Sequence, residues 1–268
     1  MSIQKLAATA KESRKTILDL CYRSQTGHIG PALSVVDILT VLFFAVLRVS
    51  PKTKHQPNRD RFILSKGHAA AALYATLYAR GFIPRESVFT YCRDGGLLGT
   101  HPDYNLNFGI ELSTGSLGHG MPVGVGMALG LGSRARVFVL VSDAELNEGS
   151  IWEAVMFASH HHLDNITVIV DDNGQQAFGK TKDVLDLGSL EAKWRAFGWE
   201  VRSVDGHSIP SLVRILGRLP FVKGKPSVLI ARTISGKGVS FMEKKVSWHY
   251  WTVDDKHYRA ALAQITKA

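Results

Sequence analysis

Val137-Phe-Val-Leu-Val-Ser-Asp143-Ala-Glu145 and Ile166-Thr-Val-Ile-Val-Asp171-Asp-Asn173-Gly-Gln175 are two apolar runs that each break into acidic and amide residues. Near-continuous Val, Ile and Leu is the pattern of a strand buried on both faces, as in a parallel sheet. Ser227–Ala231 reads the same way, and Phe62–Leu64 and Trp199–Val204 supply shorter strands. Helical segments alternate with them at 69–80, 149–162 and 208–218. That alternation predicts an α/β fold, a doubly wound parallel sheet with helices on both faces.

The flanks complete the chain. Residues 3–22 place Leu6, Ala10, Ile17, Leu20 and Cys21 near helical spacing. Residues 34–47 predict one apolar helix with Ser34 as its N-cap. A polar loop from Ser50 to Arg61 carries Pro51 and Pro57. Eleven of the 25 glycines fall between Gly95 and Gly132, which predicts close backbone approaches there, first as loop and then as a helix over 119–132. A last helix is expected over 254–266, and the absence of any linker composition predicts a single domain over residues 1–268.

Bulk properties narrow the classes. With 45% hydrophobic and 21% charged residues, 268 residues can bury a core without metal or disulfide staples. Two cysteines make no disulfide framework, the first twenty residues are interspersed with charge, and the longest apolar run, Ile38 to Leu47, is too short to span a bilayer. These features predict a soluble cytoplasmic protein with no membrane partner. The net charge of +9 comes from scattered lysines and arginines with no run of five. That favours a solvated basic surface, or a field for anionic small molecules, over nucleic acid.

Ligands of open parallel sheets bind beyond the carboxyl ends of the strands. Thirty positions separate Asp143 from Asn173, which suits two adjacent strand ends joined through a helix. A carboxylate, a carboxamide oxygen and a backbone carbonyl are hard ligands of the kind Mg²⁺ accepts, with phosphate oxygens completing the shell. Backbone N–H groups near Gly149 and in the glycine-rich loop would serve the same anion. Taken alone, the Asp and Asn equally fit turn and cap roles. The run His160-His161-His162 is no zinc site, because consecutive helical side chains point about 100° apart.

The segment from Ser142 to Ala154, followed by Asp171-Asp-Asn173, resembles the thiamine diphosphate motif in its transketolase form. Further matches follow in the family's order: Gly27-His28-Ile-Gly30, Ser65-Lys-Gly-His68, Gly99-Thr-His101-Pro, Thr114-Gly-Ser-Leu-Gly-His119-Gly, Ser235-Gly-Lys-Gly-Val-Ser-Phe-Met242 and Trp248-His249. The resemblance implies thiamine diphosphate with Mg²⁺, or Ca²⁺ or Mn²⁺ in its place. Asp143 and Asn173 would hold the metal by their side chains and Gln175 by its carbonyl. His68, Gly115, Leu117 and Ala144 would line the diphosphate and thiazolium, and Glu148 would lie at a subunit interface near the cofactor. His28, His101 and His249 would face the substrate, where imidazoles suit the movement of hydroxyl protons. The implied activity is transfer of a two-carbon ketol unit from a ketose or its phosphate to an aldose.

Two departures stand out. Ser142 and Ala144 occupy positions where the family has glycine, and Ala144 fits without strain only at negative φ. Tyr250 and Trp251 follow His249 where the family has Trp-His-Gly, through either altered acceptor specificity or ordinary packing. Full-length transketolases carry a second domain that binds the pyrimidine ring and supplies an activating glutamate. No segment here is left to form it, so the resemblance implies the N-terminal half of a split transketolase. A separate C-terminal subunit would supply that domain, and a heterotetramer is expected. Two alternatives remain at this level: the α subunit of a thiamine-dependent 2-oxo acid or acetoin dehydrogenase, and a non-catalytic relative with a degenerate motif.

Overall fold

The computed structural model describes residues 1–267; Ala268, the last residue of the expected domain, lies outside the described residues. In chain order the helices are α1 (Ile3–Ser24), α2 (Ile29–Ser34), α3 (Val36–Val41), α4 (Ala70–Ala79), α5 (Arg85–Val88), α6 (Gly120–Leu131), α7 (Gly149–His160), α8 (Thr181–Leu185), α9 (Leu190–Ala196), α10 (Ile209–Leu216) and α11 (Asp255–Lys267). The strands are β1 (Arg61–Leu64), β2 (Val137–Ser142), β3 (Ile166–Asp172), β4 (Glu200–Asp205) and β5 (Ser227–Arg232). No described helix is long and apolar enough to cross a membrane.

All strand pairings are parallel, in the order β1-β2-β3-β5-β4. Every residue of β2 is buried, so both faces of the sheet are covered, as its unbroken apolar run predicts. Alternate side chains serve different cores. Phe138 and Leu140 join a cluster with α1, α3, α4, α10 and α11. Val137, Val139 and Val141 join the opposite cluster with α6, α7 and α9. The chain advances through β1, β2 and β3, jumps to the outer β4, and returns to β5. Parallel crossovers are right-handed, so a reversal of direction moves the connecting helix to the other face. Accordingly, α9 after β3 packs on one core and α10 before β5 on the other. The strand ends on either side of such a reversal open a crevice.

The helix expected over 34–47 is broken. Ser34 ends α2 instead of capping a helix, Val35 interrupts at φ −101° and ψ 2°, and α3 passes into a π-helical turn over Leu42–Val46. The Ser34 hydroxyl donates to the Pro31 carbonyl at 2.9 Å and to Asp171 Oδ2 at 2.7 Å, so it is used up by tertiary contacts. Residues 29–43 are all buried, which removes the polar punctuation that marks helix ends.

Candidate functional site

The ends of β2 and β3 are tied to each other directly. The ladder runs one step past β2, with Asp143 N–H donating to the Asp171 carbonyl at 3.2 Å. Gly174, at φ +71°, turns the chain after Asn173 and donates its N–H to Asp143 Oδ2 at 2.9 Å. Thr181 donates its hydroxyl to the same oxygen at 2.7 Å, and Ala144 N–H donates to Oδ1 at 2.9 Å. Asn173 Oδ1 accepts from Gln175 N–H at 2.9 Å, closing an Asx-type turn. The strand ends that carry the two residues singled out in the sequence are thus tied together.

Asp143 is 1% exposed. Burial pushes its carboxyl up to about 7, and the nearby Asp171 and Asp172 push the same way against the Thr181 hydrogen bond. Among the described residues no ion pair reaches it. A buried acid with two carboxylate neighbours and no cation is a position where a divalent ion lowers the free energy. Among the described residues no three His, Cys, Asp or Glu side chains form a metal cluster. One carboxylate, one carboxamide and one carbonyl instead make a small donor set of the kind Mg²⁺ completes with phosphate oxygens.

The residues at the two non-glycine positions fit. Among the described residues, positive φ occurs outside glycine only at Gln25, His28, Cys92, His162 and Lys244. Ala144 lies in the 3₁₀ turn Ala144–Asn147, so its methyl group imposes no strain. Ser142 Oγ accepts from Glu145 N–H at 3.1 Å, which starts that turn.

A cavity of about 360 Å³ opens over the strand ends. It is lined by His28, His68, His101, Gly115, Leu117, Ala144, Glu148, Asn173, Gln175 and His249. Asp143 alone among the expected site residues does not face it; the side chain lies behind the wall, against Gly174 and Thr181. The loop carrying Gly115 and Leu117 is pinned by Glu145, whose Oε1 accepts from Gly118 N–H at 2.8 Å and from the Ser65 hydroxyl at 2.5 Å. A Cβ on Gly118 would come within 2.5 Å of Ser150 Oγ, so only glycine, here at φ +83°, lets this loop seat on the start of α7.

Four imidazoles form the opposite wall. Ring centroids lie 5.7 Å apart for His28 and His68, 5.9 Å for His28 and His101, 5.2 Å for His28 and His249, and 5.4 Å for His68 and His249. His28 sits at φ +65° with its N–H on the His249 carbonyl at 2.7 Å. The flanking glycines permit this docking: a Cβ on Gly27 would come within 2.8 Å of the Tyr250 carbonyl oxygen, and one on Gly30 within 2.8 Å of Ser235 Oγ. Burial lowers His28 and His249 to about 4, with the Lys66 charge acting in the same direction. His68 falls well below the ordinary imidazole range for the same two reasons. The rings of His28, His68 and His249 are therefore neutral near pH 7 and able to accept a proton or a hydroxyl hydrogen bond.

Sequence reasoning missed the support beneath these rings. Lys66 and Asp171 form an ion pair at 2.5 Å with both side chains fully buried. Their signal was a lysine between an apolar strand and an alanine-rich helix, and the first acid of Asp171-Asp172-Asn173. Of the aromatic pair after His249, Tyr250 lines the cavity, whereas Trp251 lies outside its lining, its ring 5.9 Å from that of Trp248; both are more than half exposed.

Known proteins similar to this chain are transketolases and transketolase subunits. The family described as the transketolase thiamine diphosphate-binding domain matches residues 5–264. The chain is 38% identical over 270 residues to an apulose-4-phosphate transketolase subunit of Phocaeicola vulgatus, covering all of this chain and 96% of that one. It is 39% identical over 257 residues to a 6-deoxy-6-sulfo-D-fructose transketolase subunit of a Clostridium species, covering 95% of this chain and 94% of the other. Among solved structures, the transketolase of Campylobacter jejuni superposes with a TM-score of 0.91 at 29% identity, over 99% of this chain and 43% of that one. The chain therefore spans less than half of that transketolase.

Proposed function

The chain belongs to the transketolase thiamine diphosphate-binding family, and from that premise we propose that it is the diphosphate-binding subunit of a two-component transketolase. The activity is transfer of a two-carbon ketol unit from a ketose, or its phosphate, to an aldose. Thiamine diphosphate, when bound, supplies the acidic carbon that carries the unit. The remaining roles belong to side chains of this protein and its partner.

Asp143 and Asn173 hold Mg²⁺, or Ca²⁺ or Mn²⁺ in its place, with the Gln175 carbonyl as the third protein donor. The observation that carries the reading is the bond from Gly174 N–H to Asp143 Oδ2, which joins the ends of β2 and β3 beside the cavity. His68, Gly115, Leu117 and Ala144 line the diphosphate and thiazolium. His28, His101 and His249 orient the sugar and move hydroxyl protons. Glu148, exposed at the cavity edge, lies at a subunit interface.

The partner is a C-terminal transketolase subunit with a pyrimidine-binding domain and an activating glutamate, and the assembly is a heterotetramer. Two relatives that this chain matches over nearly their whole lengths are named as subunits, which supports this reading. Residues 1–268 act as one domain, supported by the single sheet that both cores share. Free thiols at Cys21 and Cys92 are in keeping with a cytoplasmic setting.

Calorimetry on the co-expressed two-chain complex, with and without Mg²⁺, tests the cofactor assignment, and ketol transfer from xylulose 5-phosphate to an aldose phosphate tests the reaction. Metal-dependent binding and transfer are expected. A complex that binds no thiamine diphosphate overturns the proposal, and pyruvate-driven reduction of an external acceptor would replace it with the dehydrogenase reading.

A further inference from the structure

We propose that Asp171, with Lys66 as its counter-charge, is the positioning residue that decides which end of the Asn173 carboxamide faces the metal. The inference rests on the site assignment above and adds residues that assignment does not contain.

Asp171 is fully buried on β3, two residues before Asn173. Its carboxylate gathers donors from four parts of the chain. Oδ2 accepts from Lys66 Nζ at 2.5 Å, from the Ser34 hydroxyl at 2.7 Å and from Asn173 Nδ2 at 3.0 Å. Oδ1 accepts from the Thr233 hydroxyl. The donors come from the turn after β1, from α2, from the residue after β3 and from the residue after β5.

The consequence is chemical. An ionised carboxylate only accepts hydrogen bonds, so the neighbouring carboxamide must offer its NH₂. Asn173 Nδ2 is thereby committed inward, and Oδ1 is left on the side of Gln175 and the cavity. A carboxamide rotated by half a turn would aim two N–H bonds at the cation and supply no ligand. Lys66 makes the arrangement tolerable, because an unpaired carboxylate at full burial would be strongly destabilising. Lys66 is itself fully buried, with a second acceptor in the Pro31 carbonyl at 3.3 Å. An ion pair at this depth is poor evidence for stability, since an apolar pair of similar volume commonly does as well. Its value here is orientation of a metal ligand by a second layer of hydrogen bonds.

The test uses the two-chain complex and two double variants that leave no lone buried charge. Lys66→Met with Asp171→Asn removes the pair but keeps an oxygen that can accept from Asn173 Nδ2. Lys66→Met with Asp171→Leu removes the acceptor as well. Mg²⁺ affinity is read calorimetrically from the metal dependence of thiamine diphosphate binding, with unfolding midpoints and complex mass recorded in parallel. The asparagine variant should stay within about threefold of wild type, and the leucine variant should lose about 10- to 100-fold in Mg²⁺ affinity. If the leucine variant does not fold, Asp171→Glu with native Lys66 keeps the charges but shifts the acceptor by a methylene, and the same loss is required of it. Folded variants that bind Mg²⁺ like wild type overturn this inference alone. A wild-type complex that binds no thiamine diphosphate overturns the site assignment and this inference with it.

Discussion

His28 and His249, lowered to about 4 mainly by burial, link the chemistry of the cavity to the stability of the chain. An unfolded chain releases these rings to an ordinary pKa near 6.5, so below that pH it takes up protons that the folded state refuses. Stability should therefore fall as pH drops from about 6.5 towards 4 and lose this contribution to the slope below that. Urea midpoints of wild type and His28→Gln between pH 7 and 5 check this, and an unaltered slope in the variant would count against it. In the assembled enzyme His249→Ala should reduce turnover by about 10²- to 10⁴-fold if the ring transfers a proton. Ala144 carries a different kind of prediction. Its φ is negative, so Ala144→Gly should leave thiamine diphosphate affinity within about threefold while loosening the turn by about 0.5–1 kcal/mol. A large gain in affinity, measured by calorimetry on the complex, would show that the methyl group obstructs the diphosphate after all.

α6 separates two kinds of glycine within one helix. A Cβ on Gly124 would lie 2.5 Å from Val139 Cγ2, so Gly124→Ala overpacks the contact with β2 and should cost about 1–3 kcal/mol. Gly126 faces open space, and Gly126→Ala should stabilise the isolated chain by about 0.5–1 kcal/mol through helix propensity. Urea unfolding of the two variants gives opposite signs if the packing is as described. The sequence alone did not separate these glycines, because spacing along one helix does not say which face meets the sheet. Legibility followed the same rule elsewhere. β2 and β3 could be read because burial on both faces writes an unbroken apolar run, and Asp143 and Asn173 because they end those runs. The break at Val35 was hidden because α2 and α3 are buried on every side and Ser34 answers to Asp171, 137 residues away. The Lys66–Asp171 pair was hidden for the same reason: both lie inside quoted motifs, but their partnership exists only once β1 and β3 lie in one sheet.

At the scale of the molecule, exposed apolar side chains gather in two places, alongside others such as Leu97, Tyr104, Leu185 and Trp251. On α6 and α7, which pack side by side, Val123, Leu129, Met156 and Phe157 are 39%, 47%, 51% and 43% exposed. At the cavity, Phe178 and Tyr250 are 85% and 58% exposed. A stable soluble chain rarely leaves contiguous apolar surface without use, and such patches mark contact sites. The open positions at Gly126 and Gly130 lie on the same outward side of α6 and would let another backbone approach closely. If the second subunit covers this face, it should bury more than about 2,000 Å², as obligate assemblies do. Met156→Lys then has a defined signature: the unfolding midpoint of the isolated chain stays within about 0.5 kcal/mol, while assembly weakens because a charge must be desolvated in an apolar contact. Mass analysis of the co-expressed chains across a dilution series reads the effect. An unchanged assembly in the variant would move the interface elsewhere, and a lone wild-type chain with full ketol-transfer activity would remove the need for a partner altogether.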